Sequence, residues 1–261
     1  MNILDKIVAH KKVEVDERKK LFSIDLFQNS ELYNRNTISL KNSFENNVGN
    51  GIIAEFKRKS PSKGWFLQNA KVEQIVQPYQ QFGASAVSIL TDEHFFGGTL
   101  EDLKSARSFA NIPLLRKDFM IDTFQIHEAK AFGADLILLI AAILSPDEVK
   151  EFAAEARSIG LEVLLEIHSE SELAHISDEV DFVGVNNRDL KTFTVDINES
   201  IKLSKQIPEK FIKISESGID KIETIQKLKG EGFKGFLLGE KFMKESDPGI
   251  AFKNFVADLN N

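Results

Sequence analysis

Short apolar runs recur along this chain, and five of them end in a charged or amide side chain. The runs are Ile52–Lys57, Ile112–Lys117, Leu161–Glu166, Phe182–Arg188 and Phe211–Glu216. Taking an unpaired charge out of water is costly, so the charges are expected where strands leave the core. If the strands are parallel, their carboxyl ends meet at one edge, and the charged side chains meet there too.

Side chains point alternately to the two faces of a strand. Each polar residue therefore shares a face with an apolar or small residue two or four positions earlier: Glu55 and Lys57 with Ile53, Lys117 with Leu115, Glu166 with Leu164, Asn186 and Arg188 with Gly184, Glu216 with Ile214. The face that fills the core is thus predicted to become ionic at its rim.

Eight strands and eight intervening helices are predicted from the two periodicities. The strands are Gly51–Phe56, Ala86–Leu90, Pro113–Arg116, Leu136–Ile140, Glu162–Ile167, Phe182–Val185, Phe211–Ile214 and Gly235–Leu238. The helices are Val72–Phe82, Thr99–Phe109, Thr123–Phe132, Pro146–Ile159, Ser169–His175, Asn198–Gln206, Lys221–Leu228 and Pro248–Leu259. Such an alternating series implies right-handed crossovers and a parallel sheet, either closed as a barrel or open and doubly wound. Eight units of similar size favour closure.

An open nucleotide-binding sheet is the alternative to the barrel. It would show a Gly-x-Gly-x-x-Gly turn after an early strand and an acidic residue about 20 positions later. The chain has neither that motif nor a Walker sequence, and its one adjacent glycine pair, Gly97-Gly98, follows the second strand. We therefore predict an α/β protein with a single (β/α)8 TIM barrel.

An N-terminal helical extension is predicted over residues 1–50, before a barrel over 51–261 that forms one structural domain. Ile3, Leu4, Ile7 and Val8 recur at helical spacing, and the charged tract Lys11–Lys20 follows them. The stretch 42–51, rich in Asn and Gly, predicts a loop into the first strand.

Composition narrows the function classes. A chain of 261 residues with 42% hydrophobic content can bury a large core. The absence of cysteine excludes disulfides and thiolate metal sites and suits a cytoplasmic protein. A net charge of −7 argues against nucleic acid as a partner, and no apolar stretch approaches the roughly 20 residues that span a membrane. The five histidines lack metal-ligand spacing, so no metal is predicted. We expect a monomer.

The predicted mouth of the barrel combines charges of both signs with small residues. Its ring consists of Glu55, Lys57, Lys117, Glu166, Asn186, Arg188 and Glu216. A lysine flanked by other cations and by low-dielectric walls is expected to have a lowered pKa, which makes it a better acid, while a carboxylate can act as the base. The alternative is a salt-bridge network that merely closes the mouth.

The loops after the seventh and eighth strands of such barrels commonly hold a phosphate. Here they read Ser215-Glu216-Ser217-Gly218 and Leu238-Gly239-Glu240, and their small residues let backbone N–H groups approach an anion. The Glu240 side chain is expected to point elsewhere, because its charge would repel a phosphate.

On these residues the chain resembles the indole-3-glycerol phosphate synthase family of tryptophan biosynthesis. The resemblance covers nearly the whole chain through the motifs Ile3–Val8, Ile53–Gly64, Leu90–Asp92, Phe95–Gly98, Leu115–Phe119, Leu164–Glu166, Gly184–Leu190, Ser215–Ile219 and Gly239-Glu240. It implies ring closure of 1-(2-carboxyphenylamino)-1-deoxyribulose 5-phosphate, with loss of carbon dioxide and water and without a cofactor.

The resemblance also implies roles for individual residues. Lys117 is the expected general acid, Glu166 the partner base or proton shuttle, and Lys57 the partner of the substrate carboxylate. The other implied assignments are Glu55, Asn186 and Arg188 for orientation, Glu216 for electrostatic control of the lysines, Ser60 for the anthranilate part, and the backbone of Ser217, Gly218, Gly239 and Glu240 for phosphate. The N-terminal extension is expected to fold over the mouth.

Three phenylalanines, Phe95, Phe96 and Phe119, lie near strand ends. Phe95 and Phe119 are our candidate contacts for the aromatic part of the substrate. Core packing is the alternative role, because the chain contains 21 phenylalanines.

Two other functions compete with this reading. Another phosphate-binding barrel enzyme, such as phosphoribosylanthranilate isomerase, would use a cysteine that this chain lacks. A non-catalytic barrel used as a binding subunit would have no reason to keep a ring of buried charges.

Overall fold

The computed structural model describes residues 2–188 and 194–260, and in this part of the chain eight parallel strands close into a barrel. The barrel strands are β1 (Ile52–Phe56), β4 (Ala86–Leu90), β5 (Leu114–Lys117), β6 (Leu136–Ile140), β7 (Glu162–Ile167), β8 (Phe182–Asn186), β9 (Ile212–Glu216) and β10 (Phe233–Leu238). Each pairs with its neighbours in chain order, and β1 closes the ring by pairing with both β4 and β10. The prediction of a closed barrel is confirmed.

The helices surround this barrel. They are α1 (Ile3–Leu21), α2 (Ile24–Gln28), α3 (Leu40–Glu45), α4 (Val72–Gln81), α5 (Glu93–Phe96), α6 (Leu100–Phe109), α7 (Phe124–Ala131), α8 (Pro146–Ser158), α9 (Ile197–Ser204), α10 (Ile222–Gly230), α11 (Glu240–Met243) and α12 (Pro248–Leu259). Within the described ranges, none is long and apolar enough to cross a membrane.

The sequence misjudged three local features. Residues 42–51 are not entirely loop, because α3 occupies Leu40–Glu45 and is capped by the Ser39 side chain. The segment predicted as a helix at 169–175 is a 3-10 helix over Glu170–His175. A small hairpin, β2 (Lys59–Ser60) with β3 (Gly64–Trp65), follows β1 and was not predicted. Short elements of this kind depend on contacts with the barrel ends rather than on a long periodic pattern.

The interior of the barrel follows the predicted alternation. Ile53, Leu115, Leu164 and Ile214 all belong to the apolar cluster inside the barrel. Their neighbours on the opposite face, such as Ala54 and Val163, pack outward in the larger cluster between strands and helices. The polar residues that follow on the inward face therefore emerge together at the carboxyl end of the barrel.

The N-terminal segment covers both ends of the barrel. Ile3, Leu4 and Ile7 of α1 lie at the mouth, where they line a cavity. Leu40 and Phe44 of α3 join the interior apolar cluster, and the Phe44 ring meets Phe182 edge-on with 6.1 Å between centroids. Only α1 of the extension thus lies at the mouth as expected, whereas α3 lies at the opposite end of the barrel.

Candidate active site

A cavity of about 310 Å³ opens at the carboxyl ends of the strands. Its walls bring together most of the residues that the sequence placed in the site: Glu55, Lys57, Ser60, Lys117, Phe119, Glu166, Asn186, Arg188, Ser217, Gly218, Gly239 and Glu240. These residues come from β1, β5, β7 and β8 and from the loops that follow β1, β5, β8, β9 and β10. Because all eight barrel strands are parallel, their carboxyl ends bring these distant segments together at one end of the barrel.

Lys117 lies at the centre of the charged group. Its Nζ is 2.9 Å from Glu216 Oε2 and 3.4 Å from Glu166 Oε2. Lys117 and Glu166 face the cavity, whereas Glu216 is fully buried and is not part of the cavity wall. Space for Glu216 exists because residue 184 is glycine, since a methyl group there would overlap Glu216 Oε1. The buried Glu216 therefore holds Lys117 from the side of the barrel interior, and the lysine ammonium faces the cavity.

A second ion pair joins the two polar residues at the end of β1. Lys57 Nζ is 2.6 Å from Glu55 Oε1 and lies 5.8 Å from the centre of the Phe66 ring. Gly239 allows this arrangement, because a side chain at that position would overlap the Glu55 carboxylate. Lys57 retains some exposure to the cavity, with a side chain that is 15% exposed.

The protonation of Lys117 differs from the sequence-based expectation. Burial lowers the pKa of Lys117, but the carboxylates of Glu216, Glu166 and Glu55 outweigh burial and raise the pKa above its ordinary value. The expected lowering is wrong because the nearest neighbours are carboxylates rather than cations. The lysine is thus a fully charged ammonium at neutral pH.

The carboxylates at the mouth divide into two kinds. Burial raises the pKa of Glu55, yet Lys57 and Lys117 bring the pKa below its ordinary value. For Glu166 burial is likewise outweighed, by Lys117, His168 and a hydrogen bond to Asn186, and its pKa is lowered. Burial and the neighbouring Glu166 charge raise the pKa of Glu216 to about 7. Of these three carboxyl groups, Glu216 is therefore the one that titrates near neutral pH.

The loop after β9 has the backbone expected of an anion site. Ser217 and Gly218 both have positive φ, 65° and 68°. The Asn187 side chain fixes this turn by donating to Ser217 O at 2.7 Å and to Ser215 Oγ at 3.1 Å. Asn187 had no role in the sequence reasoning, although it stands between the two predicted site residues Asn186 and Arg188.

The carboxylate of Glu240 does not leave the mouth, contrary to expectation. It lies 2.8 Å from Lys63 Nζ and 3.5 Å from Arg188 Nη2. Two cations therefore offset its charge at the rim. The Arg188 backbone N–H donates to Asn186 Oδ1 at 3.0 Å, so the end of β8 folds back toward the cavity. Asp189 and Leu190 of the same motif lie outside the described residues.

The aromatic wall contains Phe96 and Phe119, whose ring centroids are 5.9 Å apart. Phe95 is absent from the described cavity lining, and its ring packs edge-on against His10 and His94 at 5.7 and 4.6 Å. Consecutive residues of a helix point about 100° apart, so only one of the pair in α5 can face the cavity. Ser60 lies in the wall, and its Oγ accepts the Lys63 backbone N–H at 3.2 Å.

Lys11 is a structural residue of the mouth that sequence reasoning missed. Its Nζ lies 3.0 Å from a carboxylate oxygen of each of Glu14, Asp92 and Asp118, and its side chain is fully buried. Burial is opposed by these three charges, which raise the pKa of Lys11. The signal was available, because Lys11 follows Ile7 at i+4 on the inward face of α1.

No arrangement of three or more His, Cys, Asp or Glu side chains that could hold a metal ion occurs between residues 2 and 188 or between 194 and 260.

Comparison with known proteins places this geometry in context. The family model described as indole-3-glycerol phosphate synthase matches residues 4–255. An indole-3-glycerol phosphate synthase from Bacteroides thetaiotaomicron is 48% identical over 255 residues, which are 98% of each chain. One from Prochlorococcus marinus is 42% identical over an alignment of 266 positions that covers 99% of this chain and 90% of the relative.

Solved structures with the same architecture include two proteins of low sequence identity. The tryptophan synthase alpha subunit from Legionella pneumophila has a TM-score of 0.62 at 13% identity, over 84% of this chain and 95% of its own. A 3-hexulose-6-phosphate synthase also has a TM-score of 0.62 at 13% identity, over 80% of this chain and 100% of its own. At this identity the likeness concerns the fold alone.

Proposed function

The chain belongs to the indole-3-glycerol phosphate synthase family, and we propose that Lys117, Glu166 and Lys57 perform the acid–base steps of that family's reaction at the mouth of its barrel. The activity is a carboxy-lyase step of tryptophan biosynthesis that acts on a phosphorylated small molecule. In the substrate, 1-(2-carboxyphenylamino)-1-deoxyribulose 5-phosphate, the aromatic carbon that bears the carboxylate attacks the ketone carbon. Carbon dioxide then leaves and its bonding electrons restore the aromaticity of the benzene ring, and loss of water forms the double bond of the new five-membered ring.

The single observation that carries the mechanism is the position of Lys117 between Glu166 and Glu216. A charged ammonium that faces the cavity can stabilise the negative charge that develops on the ketone oxygen and can donate a proton to it. The same group can protonate the hydroxyl that departs in the dehydration. Buried carboxylates on one side of the ammonium hold it in place before the substrate arrives.

Glu166 serves as the base or proton shuttle of the dehydration. It faces the cavity, and its lowered pKa keeps it ionised at neutral pH. Glu216 lies beneath the cavity wall and controls the lysine electrostatically. The two neighbouring carboxyl groups thus have different pKa values, which allows one to be ionised while the other is protonated at the same pH.

Lys57 pairs with the substrate carboxylate before carbon dioxide leaves and shares the acid role. Its present partner, Glu55, is 2.6 Å away and keeps the ammonium directed along the end of β1. Ser60, Phe96 and Phe119 form the wall for the anthranilate ring. Asn186 and Arg188 orient the substrate from β8.

The phosphate is assigned to backbone N–H groups of Ser217, Gly218, Gly239 and Glu240. The positive φ of Ser217 and Gly218 supports this assignment, since consecutive N–H groups in such a turn form a concave anion site. Arg188 and Lys63 add positive charge at the same rim. Because the acid, the base and the phosphate loops all come from this chain, we also propose that it acts as a monomer. We further propose that it acts in the cytoplasm, which the absence of cysteine suits.

The experiment that tests the mechanism follows formation of the indole product by ultraviolet absorbance and fluorescence. Lys117→Ala and Glu166→Gln are expected to lower kcat/KM by roughly 10²-fold or more each, because each loses a proton-transfer group. Lys213→Ala is the matched control, since this lysine of β9 points outward and donates to Ser204 O at 3.3 Å. Product formation by either site variant at the parental rate would refute the assignment.

A further inference from the structure

His168 is a buried histidine beside Glu166 for which the mechanism above has no use. It follows β7 directly, and its side chain is 12% exposed. Its Nε2 lies 3.3 Å from Glu166 Oε1, on the side of that carboxylate opposite to the Lys117 contact through Oε2. The residue is absent from the described cavity wall, so it meets Glu166 from behind.

The other ring nitrogen of His168 also faces a carboxylate. Nδ1 is 3.6 Å from Glu172 Oε2, and the same oxygen accepts the His168 backbone N–H at 2.6 Å. With a protonated imidazole, the successive contacts from Lys117 through Glu166 and His168 to Glu172 thus alternate in charge. Only the protonated ring carries a hydrogen on both nitrogens and can serve both carboxylates.

The surroundings favour the protonated ring. Burial lowers the pKa of His168, but Glu172, Glu166 and Glu216 outweigh burial and raise the pKa above its ordinary value. These carboxylates belong to the 3-10 helix Glu170–His175, to β7 and to β9, so they approach from three elements. The contacts are ion pairs within reach of Coulomb attraction rather than well-aligned hydrogen bonds.

The geometry also accounts for the difference between Glu166 and Glu216. Lys117 contacts both carboxylates and lies closer to Glu216, at 2.9 Å against 3.4 Å for Glu166. With Lys117 alone, Glu216 would be the better stabilised anion. His168 contacts Glu166 and adds a second cation on that side, and together with the Asn186 hydrogen bond it reverses the preference.

We propose that His168 is a positioning residue whose imidazolium, held between Glu166 and Glu172, keeps the Glu166 carboxylate ionised and aimed at Lys117, so that the proton shared by the two neighbouring glutamates resides on Glu216. The role deepens the proposed function and rests on the assignment of Glu166 as the base. His168 touches no reacting atom and acts through Glu166.

The first test is the dependence of kcat/KM on pH for the parent and for His168→Gln. Without the cation, Glu166 holds its proton to higher pH, so the acidic limb should move upward by about one unit. The variant should then lose roughly 10-fold at pH values below the parental limb and stay within about twofold of the parent at pH 9, where Glu166 is ionised in both proteins. A structural defect would instead lower activity by one factor at every pH, and that result would overturn the proposal.

His175→Gln is the matched control. His175 lies in the same 3-10 helix, but its ring nitrogens contact the backbone oxygens of Glu172 and Leu144 rather than Glu166. Its pH profile should match that of the parent. A shift of the acidic limb as large as that of His168→Gln would refute a specific role for His168.

The second test needs no activity. Nuclear magnetic resonance titration of histidines labelled with ¹³C should show His168, identified by the signal missing in His168→Gln, titrating above its ordinary range in the parent. In Glu166→Gln its midpoint should fall by about one unit, because one anionic partner is gone. An unchanged midpoint would refute the pairing. A parent without product would refute the proposed function instead, while this titration would still decide whether His168 pairs with Glu166.

Discussion

At the scale of single residues, the balance between burial, neighbouring cations and neighbouring carboxylates decides the ionisation of each buried carboxyl group at the mouth. Glu55 has Lys57 at 2.6 Å and its pKa is lowered. Glu216 has Lys117 at 2.9 Å, yet burial and the charge of Glu166 raise its pKa to about 7. Burial acts in the same direction on both side chains, so the difference in their pKa comes from the neighbouring charges.

Glu216→Gln should change how stability depends on pH. The ordinary pKa of a glutamate is 4.5 and that of Glu216 in the folded protein is about 7, so the folded state holds this proton more tightly. The Glu216 contribution to the free energy of unfolding therefore falls as pH rises from about 4.5 to 7. Glutamine mimics the protonated form and does not ionise. From pH 4 to pH 8 the free energy of unfolding of the variant should therefore rise by roughly 1–3 kcal/mol relative to that of the parent. Urea unfolding at both pH values measures the difference.

Glu223→Gln is the control for this experiment, because Glu223 is an exposed glutamate of α10. The difference in free energy of unfolding between Glu223→Gln and the parent should stay constant with pH to within about 0.5 kcal/mol. The argument fails if Glu216→Gln shows the same flat difference as the control.

At the scale of elements, α1 is attached to the barrel mouth by a buried charge rather than by apolar contacts alone. The three carboxylates around Lys11 come from α1 itself, from the end of β4 and from the end of β5. Asp92 also accepts the Phe95 backbone N–H at 2.7 Å and so caps α5, which carries Phe96. The position of one helix thereby fixes two loops of the active site.

Lys11→Met should therefore destabilise the protein more than a surface substitution does. Removal of the cation leaves Asp92 and Asp118 buried without this partner, at a cost of about 3 kcal/mol or more in the free energy of unfolding. KM should rise as well, since Ile3, Leu4 and Ile7 of α1 would lose their fixed place in the cavity wall. Urea unfolding and steady-state kinetics measure the two effects.

Lys12→Met provides the comparison, because Lys12 is the exposed neighbour on the same helix. Equal stability and equal KM for the two variants would show that the buried lysine does not hold α1.

At the scale of the whole molecule, the barrel separates stability from chemistry. The charged groups of the candidate active site lie at the carboxyl ends of the strands. At the opposite end, α3 covers the barrel with Leu40 and Phe44. Substitutions at that lower end should change the free energy of unfolding without changing the reaction.

Phe44→Ala tests this separation. The ring is 8% exposed and contacts Phe182 within the barrel, so its loss should cost about 3–5 kcal/mol. At a temperature where the variant remains folded, kcat and KM should stay within about twofold of the parental values. Val48→Ala, at a residue that is 60% exposed, should change neither property. A folded Phe44→Ala variant with a strongly altered KM would contradict the separation.

The sequence by itself determined the strands, their inward faces and the group of polar residues at their ends. Ile53 with Glu55, Leu115 with Lys117, and Leu164 with Glu166 share a face because side-chain direction in a strand depends only on position along that strand. The sequence also identified the Ser217-Gly218 turn as an anion site candidate, since small residues act there through their own backbone. These properties depend on residues close together in the chain, so the sequence pattern is enough to predict them.

Only the tertiary structure decided the properties that depend on distances between segments far apart in sequence. The pKa of Lys117 is raised rather than lowered because Glu166 and Glu216, on β7 and β9, lie within 3.4 Å of its ammonium. The choice of Phe96 over Phe95 depends on how α5 meets α1, and the burial of Lys11 depends on two loops of the barrel. Coulomb energy varies with the inverse of distance, and the order of residues along the chain does not specify such distances.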